Sequence, residues 1–137
     1  MPGFVANRLQ AALFREAVNL VVQGVVTESE LDSIVTSSIG LRWAVAGPFR
    51  SFHLGGGPGG LPHFLEHLGP GLESLWRDLG TPVLDEPTVQ LLSGQADFGA
   101  SVEELDAARD EAQIKVMQAA SAPSTLASNL HESGRLD

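Results

Sequence analysis

Apolar side chains recur at helical spacing over residues 4–23, which is the strongest pattern in the chain. Leu9, Leu13 and Ala17 lie four positions apart, and polar residues occupy the opposite face of the same segment. Gly24 follows where helices commonly end in a left-handed C-terminal cap. The pattern therefore predicts a first helix over residues 4–23.

The rest of the chain alternates between helical segments and clusters of turn-forming residues. Sequences of the capping-box type at 27–30 and 101–104 predict two helix N-termini, and no segment alternates convincingly as a strand would. The predicted segments after the first are about 28–38, short pieces within 41–54 around Gly47-Pro48, 62–68, 71–79, 85–98 and 101–120. The sequence thus predicts an all-α bundle of about six or seven helices, with one helical domain at 1–120 and a flexible C-terminal tail at 121–137.

The glycine-rich segment Gly55–Gly60 interrupts this helical pattern. It lacks the lysine of a phosphate-binding loop and follows no predicted strand, so we do not expect it to hold a nucleotide. It predicts a plain linker, a mobile flap or a place where two backbone segments approach closely.

Composition narrows the possible function classes. Of the 137 residues, 43% are hydrophobic, which is enough for a core. The formal net charge of −9 disfavours nucleic acid as a partner, because such binding depends on neutralised phosphates. No apolar run reaches the ~20 residues that a membrane span needs, signal-peptide features are missing, and cysteine is absent. We therefore expect a soluble cytoplasmic protein with no membrane or nucleic-acid partner.

Asn7 is the most informative polar residue, because it lies in line with Ala11 and Phe14 on an apolar stripe of the first predicted helix. A buried amide needs hydrogen-bond partners, since leaving it unpaired costs about 1–3 kcal/mol. The spacing leaves two interpretations open. Asn7 is either satisfied within a core or interface, or it is a donor directed at a substrate oxygen.

Segment 42–53 carries the other candidate binding residues. Arg42 is suited to bidentate pairing with a carboxylate, Trp43 is suited to packing over a cation or ligand, and His53 lies in the same segment. A core tryptophan beside an exposed arginine accounts for Arg42 and Trp43 at least as well.

The segment His63-Phe64-Leu65-Glu66-His67 matches H-x-x-E-H, the inverted zinc-protease pattern. We reject a zinc site, because the predicted helix over 62–68 has only two turns and the sequence marks no third ligand. Surface histidines flanking a buried Phe64-Leu65 pair explain the same residues. We therefore expect neither a metal site nor a cofactor-binding residue in this chain.

The opening Pro2-Gly3-Phe4-Val5-Ala6-Asn7-Arg8-Leu9 resembles the P-G-F-x-x-N-R-[LI] motif of the 3-hydroxyacyl-CoA dehydrogenase superfamily. In that family the motif opens the C-terminal helical domain. Segments at 40–44, 47–49 and 52–54 are similar to the branch of carnitine 3-dehydrogenase and L-gulonate 3-dehydrogenase, and those at 59–64, 68–70 and 99–105 are closer to the carnitine enzymes. The resemblance covers roughly residues 2–120.

This resemblance implies a fold and a division of labour. The expected fold is like the C-terminal domain of 6-phosphogluconate dehydrogenase and forms dimers. In the family, a Rossmann half binds NAD and supplies a His–Glu catalytic pair, while the helical half closes the substrate cleft. Asn7 matches the asparagine that holds the substrate oxygen, and Arg42, Trp43 and His53 fall on positions near the cleft.

The sequence contains no recognisable Rossmann unit, so NAD is expected only with a Rossmann partner, and hydride transfer by this chain alone is not expected. The first hypothesis is the substrate-binding and dimerisation half of an NAD-dependent 3-hydroxyacid dehydrogenase, acting on a carnitine-like or 3-hydroxyacyl substrate with a separate Rossmann subunit. The second is a stand-alone homodimer that binds a ligand, or catalyses a cofactor-independent step, in the old cleft. The third is a purely structural module or an excised fragment.

Overall fold

The computed structural model describes residues 4–121, and these form helices joined by short turns without any strand. The helices are α1 (Val5–Val22), α2 (Glu28–Ser37), α3 (Ile39–Gly55), α4 (Gly60–Asp78), α5 (Glu86–Gln95) and α6 (Val102–Ser121), with a single 3-10 turn at Gly57–Gly59. The all-α prediction is confirmed. The predicted tail lies outside the described residues from 122 onward. One compact unit extends to Phe98, and a second, which contains α6, begins at Gly99.

The predicted helix boundaries are set by local caps. Gly24 follows α1 with φ 70°, and its N–H donates to the carbonyl of Val21 at 2.9 Å. Thr27 and Glu30 exchange the two hydrogen bonds of a capping box at the start of α2, and Ser101 and Glu104 do the same before α6. These caps satisfy backbone groups that a helix end would otherwise leave unpaired.

Helices α3 and α4 form a hairpin around two aromatic rings. The ring centroids of Phe52 and Phe64 are 4.8 Å apart, a favourable separation for an aromatic pair. Helix α3 is bent at Gly47, whose φ of 64° and ψ of 168° are not helical, just before Pro48. The kink agrees with the prediction of short helical pieces around Gly47-Pro48.

Helix α4 corrects the sequence analysis, which predicted separate helices at 62–68 and 71–79. The helix is continuous through Pro70. An internal proline removes one backbone hydrogen bond but does not always end a helix. The apolar period also runs through it without a break, at Leu61, Phe64, Leu65, Leu68, Leu72 and Leu75. This continuous face outweighed the local turn signal of Gly69-Pro70.

The glycine-rich segment makes a close backbone approach rather than a loose loop. Gly56 and Gly60 are both buried. A Cβ at Gly56 would lie 1.9 Å from the carbonyl oxygen of Gly60, and one at Gly60 would lie 2.5 Å from the ring of His53. The absence of side chains therefore allows α3 to turn directly into α4.

Hydrogen bonds between distant parts of the chain join α1 to the segment that follows α4, and α2 to α5. Glu16 of α1 accepts from the N–H of Gly80 at 2.8 Å, and Gln95 of α5 accepts from the N–H of Glu28 at 3.1 Å. The buried apolar side chains among residues 4–121 are Val18, Val21 and Phe64. This core is smaller than the composition suggests, because many large apolar side chains face outward.

Candidate functional site

The side of α1 that carries Asn7 forms an open groove against α2. The groove, called here the Asn7 groove, has a volume of about 560 Å³. Its lining residues from α1 are Asn7, Gln10, Ala11, Leu13, Phe14 and Ala17, and those from α2 are Leu31, Asp32 and Val35. Most of this lining is apolar, so the few polar groups can orient a bound molecule.

Asn7 is exposed at this groove rather than buried in a core. Its side-chain amide makes no hydrogen bond to any residue within 4–121. The apolar stripe that contains Asn7 continues along α1 to Val18 and Val21. Ala11 and Phe14 line the groove, whereas Val18 and Val21 are buried in the core. Burial of Asn7 within a core therefore disagrees with the structure, and the two interpretations that stay open are an amide satisfied at an interface and a donor to a ligand.

A second cavity of about 280 Å³ adjoins the groove. The two share Phe14, Ala17, Leu31 and Asp32, and the second cavity is completed by Val18, Val21, Glu28, Leu92 and Phe98. Its wall thus includes two aromatic rings and two carboxylates. The two cavities therefore adjoin along α1, and the second is lined by the buried residues Val18 and Val21.

Asp32 and Glu28 are cavity residues that the sequence analysis did not identify. Among residues 4–121, Asp32 is the only charged residue lining the Asn7 groove. Its signal in the sequence is its position between Leu31 and Val35, which places it beside the apolar face of α2. Sequence alone does not reveal that this face lies opposite Asn7.

The other predicted binding residues do not line the Asn7 groove. Arg42 and Trp43 lie in the first turn of α3, and the side chain of Trp43 is 40% exposed. His53 lies at the end of α3, where its Nδ1 accepts a hydrogen bond from the N–H of Leu61 at 3.2 Å. His53 therefore supports the start of α4, and an additional contact with substrate remains a prediction.

The histidine pattern on α4 places His63, Glu66 and His67 together on the surface. Their ligand atoms lie within 4.8 Å of one another, and Nδ1 of His67 lies 3.0 Å from the carbonyl oxygen of His63. Because α4 is continuous, the short-helix objection to a zinc site no longer applies. No further His, Cys, Asp or Glu within 4–121 joins this group, and the absence of a metal site remains an expectation.

Shifted pKa values occur at the helix starts. The N–H of Thr27 donates to Glu30 and lowers the pKa of that carboxyl, and the Thr27 hydroxyl adds to the effect. The side chain and then the N–H of Thr88 lower the pKa of Asp85 in the same way. Ser101 lowers the pKa of Glu104 through its N–H and then its hydroxyl. These carboxylates have structural roles as caps.

No helix among residues 4–121 has the length and apolar character to span a membrane. Comparison with known families gives a match to the C-terminal domain of 3-hydroxyacyl-CoA dehydrogenase over residues 3–85. The chain belongs to this family. The resemblance of the opening motif at Asn7 is thereby confirmed at the level of the family.

Curated relatives in this dehydrogenase family carry the name L-carnitine dehydrogenase. The protein of Streptomyces griseus subsp. griseus is 46% identical over 122 residues, which cover 87% of this chain and 36% of the relative. The protein of Oceanobacillus iheyensis is 45% identical over 118 residues, which cover 84% of this chain and 38% of the relative. The protein of Streptomyces coelicolor is 43% identical over 122 residues, which cover 87% of this chain and 38% of the relative. The chain thus spans little more than a third of the length of these relatives.

Proposed function

We propose that this chain is the substrate-binding and dimerisation half of an NAD-dependent 3-hydroxyacid dehydrogenase, working in the cytoplasm with a separate Rossmann subunit. The substrate class is a small 3-hydroxy acid of the carnitine type, because the relatives above are named L-carnitine dehydrogenase. NAD would be held by the Rossmann subunit and would accept the hydride. Residues 4–121 contain no strand and therefore no Rossmann phosphate-binding turn.

The observation that carries this proposal is the unpaired amide of Asn7 at an apolar groove. Oxidation of a 3-hydroxy acid gives a ketone, and negative charge accumulates on the substrate oxygen in the transition state between them. A positioned amide N–H stabilises that charge, and loss of one such donor costs about 10²–10³ in rate. In this role Asn7 is the residue of the chain that contacts the reacting oxygen.

Dimerisation is supported by the apolar surface of the first unit. Phe4 is 86% exposed, and Val5 and Leu9, which follow it on α1, are also exposed. Exposed apolar side chains grouped in this way mark sites of association in soluble proteins. We assign part of it to the Rossmann subunit and part to a second copy of the chain.

The test starts with the untagged protein purified from its own source and examined by native mass spectrometry. We expect a complex containing a Rossmann-type chain, and this complex should reduce NAD⁺ with L-carnitine or another 3-hydroxy acid. Asn7→Ala should lower kcat about 10²–10³-fold while the complex stays assembled. Gln113→Ala, which removes an exposed amide from α6 and is not among the lining residues of the groove, is the control and should retain most of the activity.

A bare homodimer that lacks NAD-dependent activity would contradict the proposal. If that homodimer still bound small molecules in the groove, the alternative of a stand-alone ligand-binding domain would replace it. Full activity of the Asn7→Ala complex would contradict the role of the amide and leave only the family-level assignment.

A further inference from the structure

His63, Glu66 and His67 form an exposed cluster on α4, and none of them lines the Asn7 groove or the second cavity. We propose, against the expectation from the sequence, that this cluster binds a late first-row transition-metal ion, namely Ni²⁺, Cu²⁺ or Zn²⁺. The site does not depend on the proposed function, and its metal affinity can be measured in this chain alone.

The ligand atoms of the cluster lie almost close enough together to share one ion. One ligand atom from each residue lies within 4.8 Å of the others, and the ring centroids of His63 and His67 are 4.1 Å apart. A Zn²⁺–nitrogen bond is about 2.0–2.1 Å long, so two nitrogens on one ion lie at most about 4.2 Å apart. Exposed side chains can close the remaining difference by rotating about their own bonds.

The contacts of the two histidines prepare them as ligands. Nδ1 of His67 lies 3.0 Å from the carbonyl oxygen of His63. Because a carbonyl oxygen can only accept, the ring proton stays on Nδ1 and the lone pair of Nε2 faces a metal without competition. Histidines that ligate metals commonly donate their second nitrogen in this way. A Cβ at Gly59 would lie 2.5 Å from the Cβ of His63, so the side chain of His63 lies against the turn that precedes α4.

Two features of the folded chain remove the objections to a metal site. Helix α4 has 19 residues rather than two turns, so its backbone can hold the three side chains in register. The carboxylate of Glu66 has no hydrogen bond or ion pair within residues 4–121. Glu66 can therefore be the third ligand itself, rather than the general base of a protease-type zinc site. Three ligands from one helix cover one side of the ion and leave its other positions to water.

The ligand set selects the class of ion. Imidazole nitrogen suits Zn²⁺, Cu²⁺ and Ni²⁺, and the affinity of such a site peaks at Cu²⁺. Ca²⁺ is coordinated by six or more oxygen ligands, and Mg²⁺ also prefers oxygen. The cluster offers a single carboxylate, so we expect neither of these ions to compete for it.

The test uses the full chain without an affinity tag, in a buffer with excess Mg²⁺ to occupy other surface carboxylates. Each transition-metal ion is titrated into the chain and followed by isothermal calorimetry. We expect one ion per chain, with Cu²⁺ bound more tightly than Ni²⁺ or Zn²⁺. Zn²⁺ should shift the amide signals of α4 around His63 and His67. It should also raise Tm, because the two imidazoles are aligned only in the folded helix.

Variants locate the ion. His67→Ala should weaken Ni²⁺ binding at least about tenfold, because the second imidazole of a chelate binds intramolecularly. His131→Ala removes an imidazole outside the described residues and is the matched control, with no change expected. Glu66→Gln should weaken binding about threefold, the size of one exposed charge interaction. Glu73→Gln, in the same helix, should leave it unchanged. Circular dichroism checks the fold, which we expect to persist because the substituted residues of α4 are exposed.

Three outcomes would overturn the metal site. The first is the absence of saturable Ni²⁺ and Zn²⁺ binding in the presence of Mg²⁺. The second is equal affinity of His67→Ala and the unchanged chain. The third is a loss of binding in His131→Ala as large as that in His67→Ala, which would place the ion elsewhere. Metal binding that depends on His67, in a protein without NAD-dependent activity, would support the site and count against the proposed function alone.

Discussion

The α3–α4 hairpin and the Asn7 groove use similar residues in opposite ways. In the hairpin, Phe64 is 9% exposed and packs against Phe52. In the groove, Phe14 is 58% exposed and lines open space with Asn7 and Asp32. The hairpin buries the ring of Phe64 within the chain, whereas the groove leaves the ring of Phe14 without a comparable aromatic partner. An apolar surface kept open beside polar groups is typical of a binding site.

The largest expected effect tests this comparison with the same substitution in both regions. Phe64→Ala should lower the free energy of unfolding by about 3 kcal/mol, because it removes a buried ring and leaves a cavity beside Phe52. Phe14→Ala should lower it by less than about 1 kcal/mol, since most of that ring is already in contact with water. Chemical denaturation of the two variants provides the measurement. Similar losses would show that the groove belongs to the core.

The next effect concerns the turn that closes the hairpin. Gly60 has φ 60° and ψ −153°, a conformation that other residues rarely adopt, and a Cβ there would meet the ring of His53. Gly60→Ala should therefore cost about 2 kcal/mol of stability. Gly71→Ala, in the same helix but with open space around it, should stabilise the protein by about 0.5–1 kcal/mol. Thermal unfolding of both variants should show shifts of opposite sign.

The difference between the regions also explains what sequence reasoning could predict. The starts of α2 and α6 follow from capping boxes that contain their own hydrogen-bond partners, so Thr27 with Glu30 and Ser101 with Glu104 were predictable from a few residues. The opening motif containing Asn7 indicated the family because its residues are likewise close together in the chain. Such signals are local in the chain.

The continuity of α4 through Pro70 was predictable from the apolar period of its own residues, which conflicts with the local turn signal of Gly69-Pro70. Features that depend on distant segments could not be predicted. Asp32 was missed as a groove residue because that role depends on α1 lying opposite, although its position beside the apolar face of α2 is visible in the sequence. Arg42 and Trp43 were chosen for their chemistry, and their relation to a bound substrate stays a prediction.

The smallest expected effect is a difference in acid stability between the capped starts of α2 and α5 and the α3–α4 hairpin. Helices α2 and α5 begin with the caps of Glu30 and Asp85, whereas α3 and α4 have no side-chain cap. Hydrogen bonds from Thr27 and Thr88 hold the pKa values of these carboxyls below their ordinary 4.5 and 3.8. Because the folded pKa is the lower one, each cap contributes stability above the ordinary value, and the contribution is lost as pH falls through the folded pKa.

Acidification below about pH 4.5 should therefore loosen the first turn of α2, and acidification below about pH 3.8 that of α5, before the α3–α4 hairpin. Backbone hydrogen exchange, corrected for its intrinsic pH dependence, should show earlier loss of protection in those turns. In Glu30→Gln the side chain still accepts a hydrogen bond but no longer titrates, so the acid response of α2 should flatten while that of α5 persists. Equal loss of protection in all four helices would mean that the groove wall and the hairpin unfold as one cooperative unit.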